Sequence, residues 1–141
     1  MEQLIEFTGN HVMLVGGFTA VTLLLLWTEI GRHTRGYVEL TPVDAVRRIN
    51  QGKITVVDIS AAAEFSKGHL AGAKNIALTR FSTSDADVEK LKSKAVLLVC
   101  KNGQTAHQAA AKLVKLGAAD VAVLKGGMTQ WTADQYPVSC K

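Results

Sequence analysis

Ala95-Val96-Leu97-Leu98-Val99-Cys100-Lys101-Asn102-Gly103-Gln104-Thr105 is the stretch on which the reading of this chain turns. Five apolar residues lead to a thiol, then a polar stretch with one glycine, then Ala106 to Leu116, where small and apolar residues recur at helical spacing before Gly117. The order is buried strand, tight loop, helix, with Cys100 at the strand's C-terminal end. Open α/β sheets bind ligands outside the C-terminal ends of their strands. The loop's backbone N–H groups and the N-terminus of the following helix converge on the sulfur, and both favour an anion there. That environment favours thiolate. Gly103 takes a positive φ without the penalty a side chain would bring, so a short loop can curl around one atom. Taken alone, Cys100 also suits a plainer role, since free cysteine often closes a buried strand as a small apolar residue. The rest of the chain decides between the two.

Around this stretch strands alternate with helices, which argues for parallel pairing. Thr41-Pro42-Val43-Asp44 supplies an N-cap, a proline at the first helical position and an acid in the first turn of a helix running through Ile49. Gly52 ends it, and Ile54-Thr55-Val56-Val57-Asp58 is a β-branched run that finishes on a carboxylate. Ala61 to Lys67 reads as a helix stopped by Gly68. Ser82-Thr83-Ser84-Asp85-Ala86-Asp87 offers turn and capping residues before the charged stretch Val88 to Lys94, and Val121-Ala122-Val123-Leu124 is the last strand.

Several separated motifs then stand in a recognisable order: Val56-Val57-Asp58, Glu64-Phe65, Gly68-His69-Leu70-Ala71-Gly72-Ala73-Lys74-Asn75-Ile76, the Cys100 loop, and Val123-Leu124-Lys125-Gly126-Gly127 with Trp131 and Pro137. From about Leu40 to Val138 the chain resembles the rhodanese homology domain, and with its apolar N-terminus it is similar to bacterial membrane-anchored rhodanese-like sulfurtransferases. The resemblance implies a doubly wound, five-stranded parallel sheet with helices on both faces. It also implies that Cys100 carries sulfane sulfur as a persulfide, cradled by Lys101, Asn102, Gly103, Gln104 and Thr105. The donor it implies is thiosulfate or a persulfide, and the acceptor cyanide or a thiol. Lys101 would add positive charge for an anionic donor, and Gln104 a hydrogen bond. Two positions depart from the common pattern: Ser60 and Thr105 stand where many members carry arginine.

The same loop argues against a related chemistry. Phosphatases of similar fold place an arginine six positions after the catalytic cysteine to grip phosphate bidentately. Here that position is Ala106, and Lys101 is a point charge rather than a fork. Among the supporting candidates, Asp58 reads as an architectural carboxylate capping nearby N–H groups, His69 as a turn-shaping hydrogen-bonder, and Arg80 as a residue at the pocket mouth. His107 lies just past the loop on the helix, Trp131 belongs to the core, and Gly126-Gly127 marks a tight strand-to-helix turn rather than a phosphate loop.

Val12 to Thr28 contains no charged residue. Residues 12–30 are therefore expected to be a transmembrane helix, at the short end of the ~17–25 residues such a span needs. A short tail (1–11) precedes it, a juxtamembrane linker (31–39) follows, and the rhodanese-like domain occupies 40–141. Residues 1 to 11 hold no Lys or Arg and Thr28-Glu29-Ile30 is a poor cleavage site, which disfavours a signal peptide. Arg32, Arg35, Arg47 and Arg48 follow the span while only Glu2 and Glu6 precede it as charges, so the positive-inside rule points the domain to the cytoplasm from a single-pass position in the inner membrane.

The net charge is +4, with 14 Lys or Arg against 9 Asp or Glu after Arg35. That excess suits anionic lipid or anionic substrates. Scattered aromatics argue against nucleic acid. Cys100 and Cys140 have neither metal-ligand spacing nor a disulfide framework, so neither metal nor cofactor is expected. The leading expectation is a membrane-anchored sulfurtransferase, with a membrane protein as a further partner. The alternatives are a tethered, non-catalytic docking module and a persulfide redox sensor.

Overall fold

The structure, a computed structural model, describes residues 1–82 and 85–140, with the Arg32 and His33 side chains outside the description. It divides into two units, Met1–Arg35 and Gly36–Lys141. The first consists of α1 (Glu2–Asn10) and α2 (Val12–His33). The residues read as a short tail are thus helical. Residues 12–31 of α2 are long and apolar enough to cross a membrane. Leu14, Phe18, Leu24 and Trp27 are exposed along it. Threonine hydroxyls on the apolar helix turn back to its own carbonyls, Thr19 to Val15 and Thr22 to Phe18, which satisfies them without an outside partner.

The second unit runs β1 (Val38–Leu40), α3 (Pro42–Asn50), β2 (Thr55–Asp58), α4 (Ala62–Lys67), β3 (Lys74–Asn75), a 3₁₀ turn (Leu78–Ser82), α5 (Ala86–Leu91), β4 (Val96–Val99), α6 (Gln104–Lys115), β5 (Val121–Leu124) and α7 (Gly127–Ala133). Its five strands form one all-parallel sheet in the order β1-β5-β4-β2-β3. The expected five-stranded parallel architecture is present. The folded unit starts before Leu40, however: Val38 and Glu39, assigned from sequence to a linker, pair with Ala122 and Val123 as the edge strand.

Strand alternation divides the core in two. Val57, Val96, Leu98 and Val123 face α5, α6 and the 3₁₀ turn, packing with Val88, Leu91, Phe81, Ala109 and Leu113. Val56, Leu97, Val99 and Leu124 face α3 and α7, packing with Ala45, Leu70 and Trp131. Helices therefore cover both faces, and each fully buried Val or Leu contributes about 1.5–3 kcal/mol relative to exposure. The small face of α6, with Ala106, Ala109 and Ala110 all buried, lets this helix lie close to the sheet and aims its N-terminus at the end of β4.

Local signals hold where side chains act on their own backbone. Thr41 caps α3 by accepting from the Asp44 N–H (3.3 Å) and donates its hydroxyl to the Asp44 carboxylate (2.8 Å). Asp85 caps α5 through the Asp87 N–H at 2.9 Å. Thr83 and Ser84, grouped with it as turn residues, lie outside the described residues.

Candidate active site

Cys100 follows the last residue of β4 and is 2% exposed. Gly103 adopts the left-handed conformation (φ +87°) and serves as the N-cap of α6. This turn brings the Gly103 N–H to 2.9 Å from Cys100 Sγ, which accepts its hydrogen bond. Asn102 Oδ1 accepts from the Gln104 N–H at 3.2 Å and faces the sulfur at 3.9 Å. Of the five residues read as a cradle, Lys101, Asn102 and Gly103 make the loop and Gln104 and Thr105 open the first turn of α6; Gly103 is buried and the other four are exposed. A helix N-terminus and a backbone donor are thus arrayed around one buried sulfur.

A second turn braces the first. After β5, Gly126 (φ +74°) and Gly127 (φ +58°) lead into α7, and a Cβ at Gly127 would strike Cys100 O, come within 2.6 Å of Gly103 N and within 2.9 Å of Asn102 N. Only a glycine permits that approach. The α7 donors then fasten the loop: the Met128 N–H donates to Cys100 O, and the Thr129 N–H and hydroxyl both donate to Lys101 O, each at 2.9 Å.

Beside Lys101 runs a cleft of about 250 Å³, whose lining includes Ser60, Glu64, Lys67, Lys101, Met128 and Thr129. Glu64, on α4, lies 3.1 Å from Lys67 Nζ and 3.8 Å from Lys101 Nζ. The hydrogen bond from Lys67 and the charge of Lys101 hold its carboxyl below the usual carboxylate range. Sequence reading passed over Glu64, Lys67, Met128 and Thr129 as cleft residues. A Glu64/Lys67 pair one helical turn apart looks like any surface pair, and the last two are brought in by the sheet order.

The supporting candidates are each engaged by neighbouring groups of the chain. Asp58 is 1% exposed; its Oδ1 accepts from the Ser60 N–H at 2.8 Å and its Oδ2 has no hydrogen-bond partner among the described residues. It shapes the loop after β2. His69 Nδ1 is 2.7 Å from Phe65 O, its ring stacks on Phe65 with centroids 3.7 Å apart, and its backbone pairs with Ser139. This fixes the turn after α4 and the C-terminal strand-like segment together. Arg80, placed at the pocket mouth by the sequence reading, is instead engaged on the 3₁₀ turn by Asp85 (2.7 and 2.9 Å) and Asp87 (2.9 Å). Those bonds raise the Arg80 pKa and lower that of Asp85. His107 contacts the Tyr37 hydroxyl (3.1 Å) and lies 3.6 Å from Glu39. Among the described residues no three His, Cys, Asp or Glu side chains are grouped to hold a metal ion.

Known proteins fit this geometry. The rhodanese-like domain profile matches residues 41–134. The uncharacterized protein YibN of Escherichia coli K12 is 31% identical over 139 residues, covering 98% of this chain and 97% of that protein. The thiosulfate sulfurtransferase GlpE of Pseudomonas putida GB-1 is 34% identical over 101 residues, covering 72% of this chain and 89% of GlpE. The crystal structure of a rhodanese-related protein from Thermoplasma volcanium superposes with a TM-score of 0.66 at 24% identity, covering 74% of this chain and all of that one. With its fold, its cysteine loop and nearly all of its second unit accounted for, this chain belongs to the rhodanese-like domain family.

Proposed function

We propose that the chain is a sulfurtransferase that carries sulfane sulfur on Cys100. The observation that carries this reading is the Gly103 N–H at 2.9 Å from Cys100 Sγ, in a loop at the C-terminal end of β4 and at the N-terminus of α6. The Cys100 thiolate attacks the outer sulfur of a donor, thiosulfate or a persulfide. The donor's S–S bond breaks, sulfite or a thiolate leaves with the electron pair, and a Cys100 persulfide remains. A thiophilic acceptor, cyanide or a thiol, then attacks the outer persulfide sulfur, and the Cys100 thiolate is the leaving group. Both steps are displacements at sulfur, so the protein's part is to stabilise anionic sulfur and exclude water. The braced loop and the near-complete burial of the thiol serve those two ends. The named activity of the GlpE relative supports the same reading.

The N-terminal unit gives this chemistry a place. The apolar helix over residues 12–31 anchors the chain, and the arginines that follow it put the domain on the cytoplasmic side of the inner membrane, near a membrane-borne donor, acceptor or partner protein. A chain that leaves the membrane fraction under alkaline carbonate washing would end that part of the reading.

Intact-mass measurement after incubation with donor and removal of its excess tests the chemistry. A gain of one sulfur atom, reversed by reductant and missing in Cys100→Ser, is the expected result. No gain from thiosulfate, polysulfide or a low-molecular-weight persulfide, at a Cys100 shown to be free, would sink it.

A further inference from the structure

The end of the sheet opposite the Cys100 loop carries a one-sided charge. In a parallel sheet the strands all start at one end and the crossover helices return to it. The register sets Thr55 of β2, Val96 of β4 and Val121 of β5 side by side at that end. Lys53 and Lys94, both exposed, stand two residues before Thr55 and Val96 and so enter adjacent strands as neighbours. Arg47, Lys90 and Lys115 lie in the last turns of α3, α5 and α6. A helix C-terminus favours cations, which accounts for those three, but Lys53 and Lys94 lie in loops and have no such cause. Among the described residues the ammonium groups of Lys53, Lys90, Lys94 and Lys115 have no partner. The nearby acids are already engaged: Asp120 pairs with Arg48 at 2.9 Å and Glu89 with Lys92 at 2.7 Å, and Asp134, after α7, accepts from Gln130 Nε2 at 2.8 Å.

The chain also enters the domain at this end. Gly36 stands two residues before Val38 of β1 and lies against Val114, the neighbour of Lys115: a Cβ at Gly36 would come within 2.8 Å of Val114 Cγ1. Arg35 closes the first unit, so the covalent link to the apolar helix leaves the domain from here. Beside Lys115, Leu116 is 39% exposed. Unpaired cations around an exposed apolar side chain fit an anionic lipid surface, where attraction adds with each basic residue and an apolar group enters the headgroup layer. Single-stranded nucleic acid calls instead for stacking aromatics, and the aromatic at hand, Tyr37, packs on the core with its hydroxyl on His107. Resting on the reading of residues 12–31 as an anchor, we propose that this end of the sheet is a docking face for anionic phospholipid headgroups. Docking holds the Cys100 loop on the far side, since β4 alone is four residues, about 13 Å, long. A membrane-borne partner must then reach the cysteine from the aqueous side.

The test is acetylation of the full chain by an uncharged ester, read lysine by lysine by peptide mass spectrometry, in nanodiscs of phosphatidylcholine or of an equal mixture of phosphatidylcholine and phosphatidylglycerol. Lys53, Lys94 and Lys115 are expected to react about three- to tenfold more slowly in the mixed discs. Lys74, level with Val57, and Lys125, after β5, lie toward the other end and should keep their rates within about twofold. Raising the salt concentration should shrink the difference. Lys53→Glu with Lys94→Glu, both exposed positions, should return Lys115 in mixed discs to its rate in neutral ones, whereas slowing caused by the tether alone would survive the change. A chain that enters the discs but shows no slowing, or a slowing shared by all five lysines, overturns the docking face and leaves the anchor standing. Failure to enter the discs overturns both. Protection of the three lysines by added RNA in neutral discs, with none from phosphatidylglycerol, assigns the face to nucleic acid and overturns the lipid reading.

Discussion

Two turns at the same edge of the sheet use one backbone solution for different ends. After β4, Gly103 (φ +87°) caps α6; after β5, Gly126 (φ +74°) caps α7; as glycines, neither offers a side chain to its helix. In the first, the donor released at the helix start reaches Cys100 Sγ. In the second, the α7 donors of Met128 and Thr129 reach Cys100 O and Lys101 O, the backbone of the first turn. The cysteine turn is thus held by a neighbouring turn of the same kind, and its sulfur accepts the N–H of the residue that opens α6. The end of β2 is a third case: there the Asp58 carboxylate accepts from Ser60 N–H, as a capping oxygen would. One architectural need, satisfying N–H groups past a strand end, is met by sulfur, by carbonyls and by a carboxylate. Among these three acceptors, the sulfur is the one to which the proposed chemistry gives a nucleophile's role.

Gly127→Ala should break the comparison hardest. Its new Cβ would collide with Cys100 O and two backbone nitrogens of the loop, none of which is the far end of a flexible side chain. We expect a loss of about 2–4 kcal/mol in unfolding free energy and at least a tenfold fall in Cys100 loading. Gly52→Ala is the control: its φ is +68°, yet its Cβ meets nothing within 4 Å, so only the backbone penalty applies, about 1 kcal/mol. Denaturant titration of both variants measures the difference. Equal losses would mean that the two turns do not brace each other.

The uneven legibility of the sequence has the same origin. Val96–Val99 and Val121–Leu124 were readable because continuous apolar runs need no partner to be recognised, and the Thr41 cap because it acts on its own helix. β1 was lost to a linker because Val38 and Glu39 are exposed and only the ladder to β5 makes them a strand. β3, Lys74 and Asn75, has no strand propensity and is held by β2 and by the Asn75 side chain, which donates to Asp58 O and Ser60 O. In the site, Cys100 and Gly103 were legible because the chemistry and the conformational demand lie within four residues. Glu64 and Thr129 were not, since Glu64 reaches the cleft from the connection between β2 and β3 and Thr129 from the helix after β5. Arg80 was placed at the mouth for its charge alone, and two aspartates nearby in sequence claim it.

Gly103→Ala comes next in size. Here the added Cβ would stand 3.1 and 3.3 Å from the Gly126 and Gly127 nitrogens, tight but not overlapping, and the left-handed φ adds strain. About 1–2 kcal/mol of stability should be lost. Loading should fall more steeply than stability does, because relief of the contact moves the one N–H that the sulfur accepts. Asp58→Ala makes the reverse case. Removing the carboxylate leaves the Ser60 N–H without its partner, a cost of about 1–3 kcal/mol, while the sulfur's own donor is untouched. Loading per folded molecule should stay within about twofold of wild type if the β2 turn is architectural. A collapse of loading in a folded Asp58→Ala protein would place the carboxylate in the chemistry after all.

Thr129→Val probes the brace most gently. The hydroxyl and the N–H of Thr129 both donate to Lys101 O at 2.9 Å, so the substitution removes one of two bonds to a single carbonyl and leaves the backbone bond in place. Thr129 is exposed, and water can take up the freed lone pair. The expected cost is therefore at the low end for a hydrogen bond, about 0.5 kcal/mol. The informative readout is hydrogen exchange at the Gly103 amide. If α7 fastens the loop through Lys101 O, the slackened carbonyl lets the Cys100 turn open more often, and Gly103 should exchange a few-fold faster with global stability nearly unchanged. An unchanged Gly103 rate would assign the bracing to the Gly127 contact and the Met128 bond alone, and would make the hydroxyl a cleft-lining group rather than a fastening.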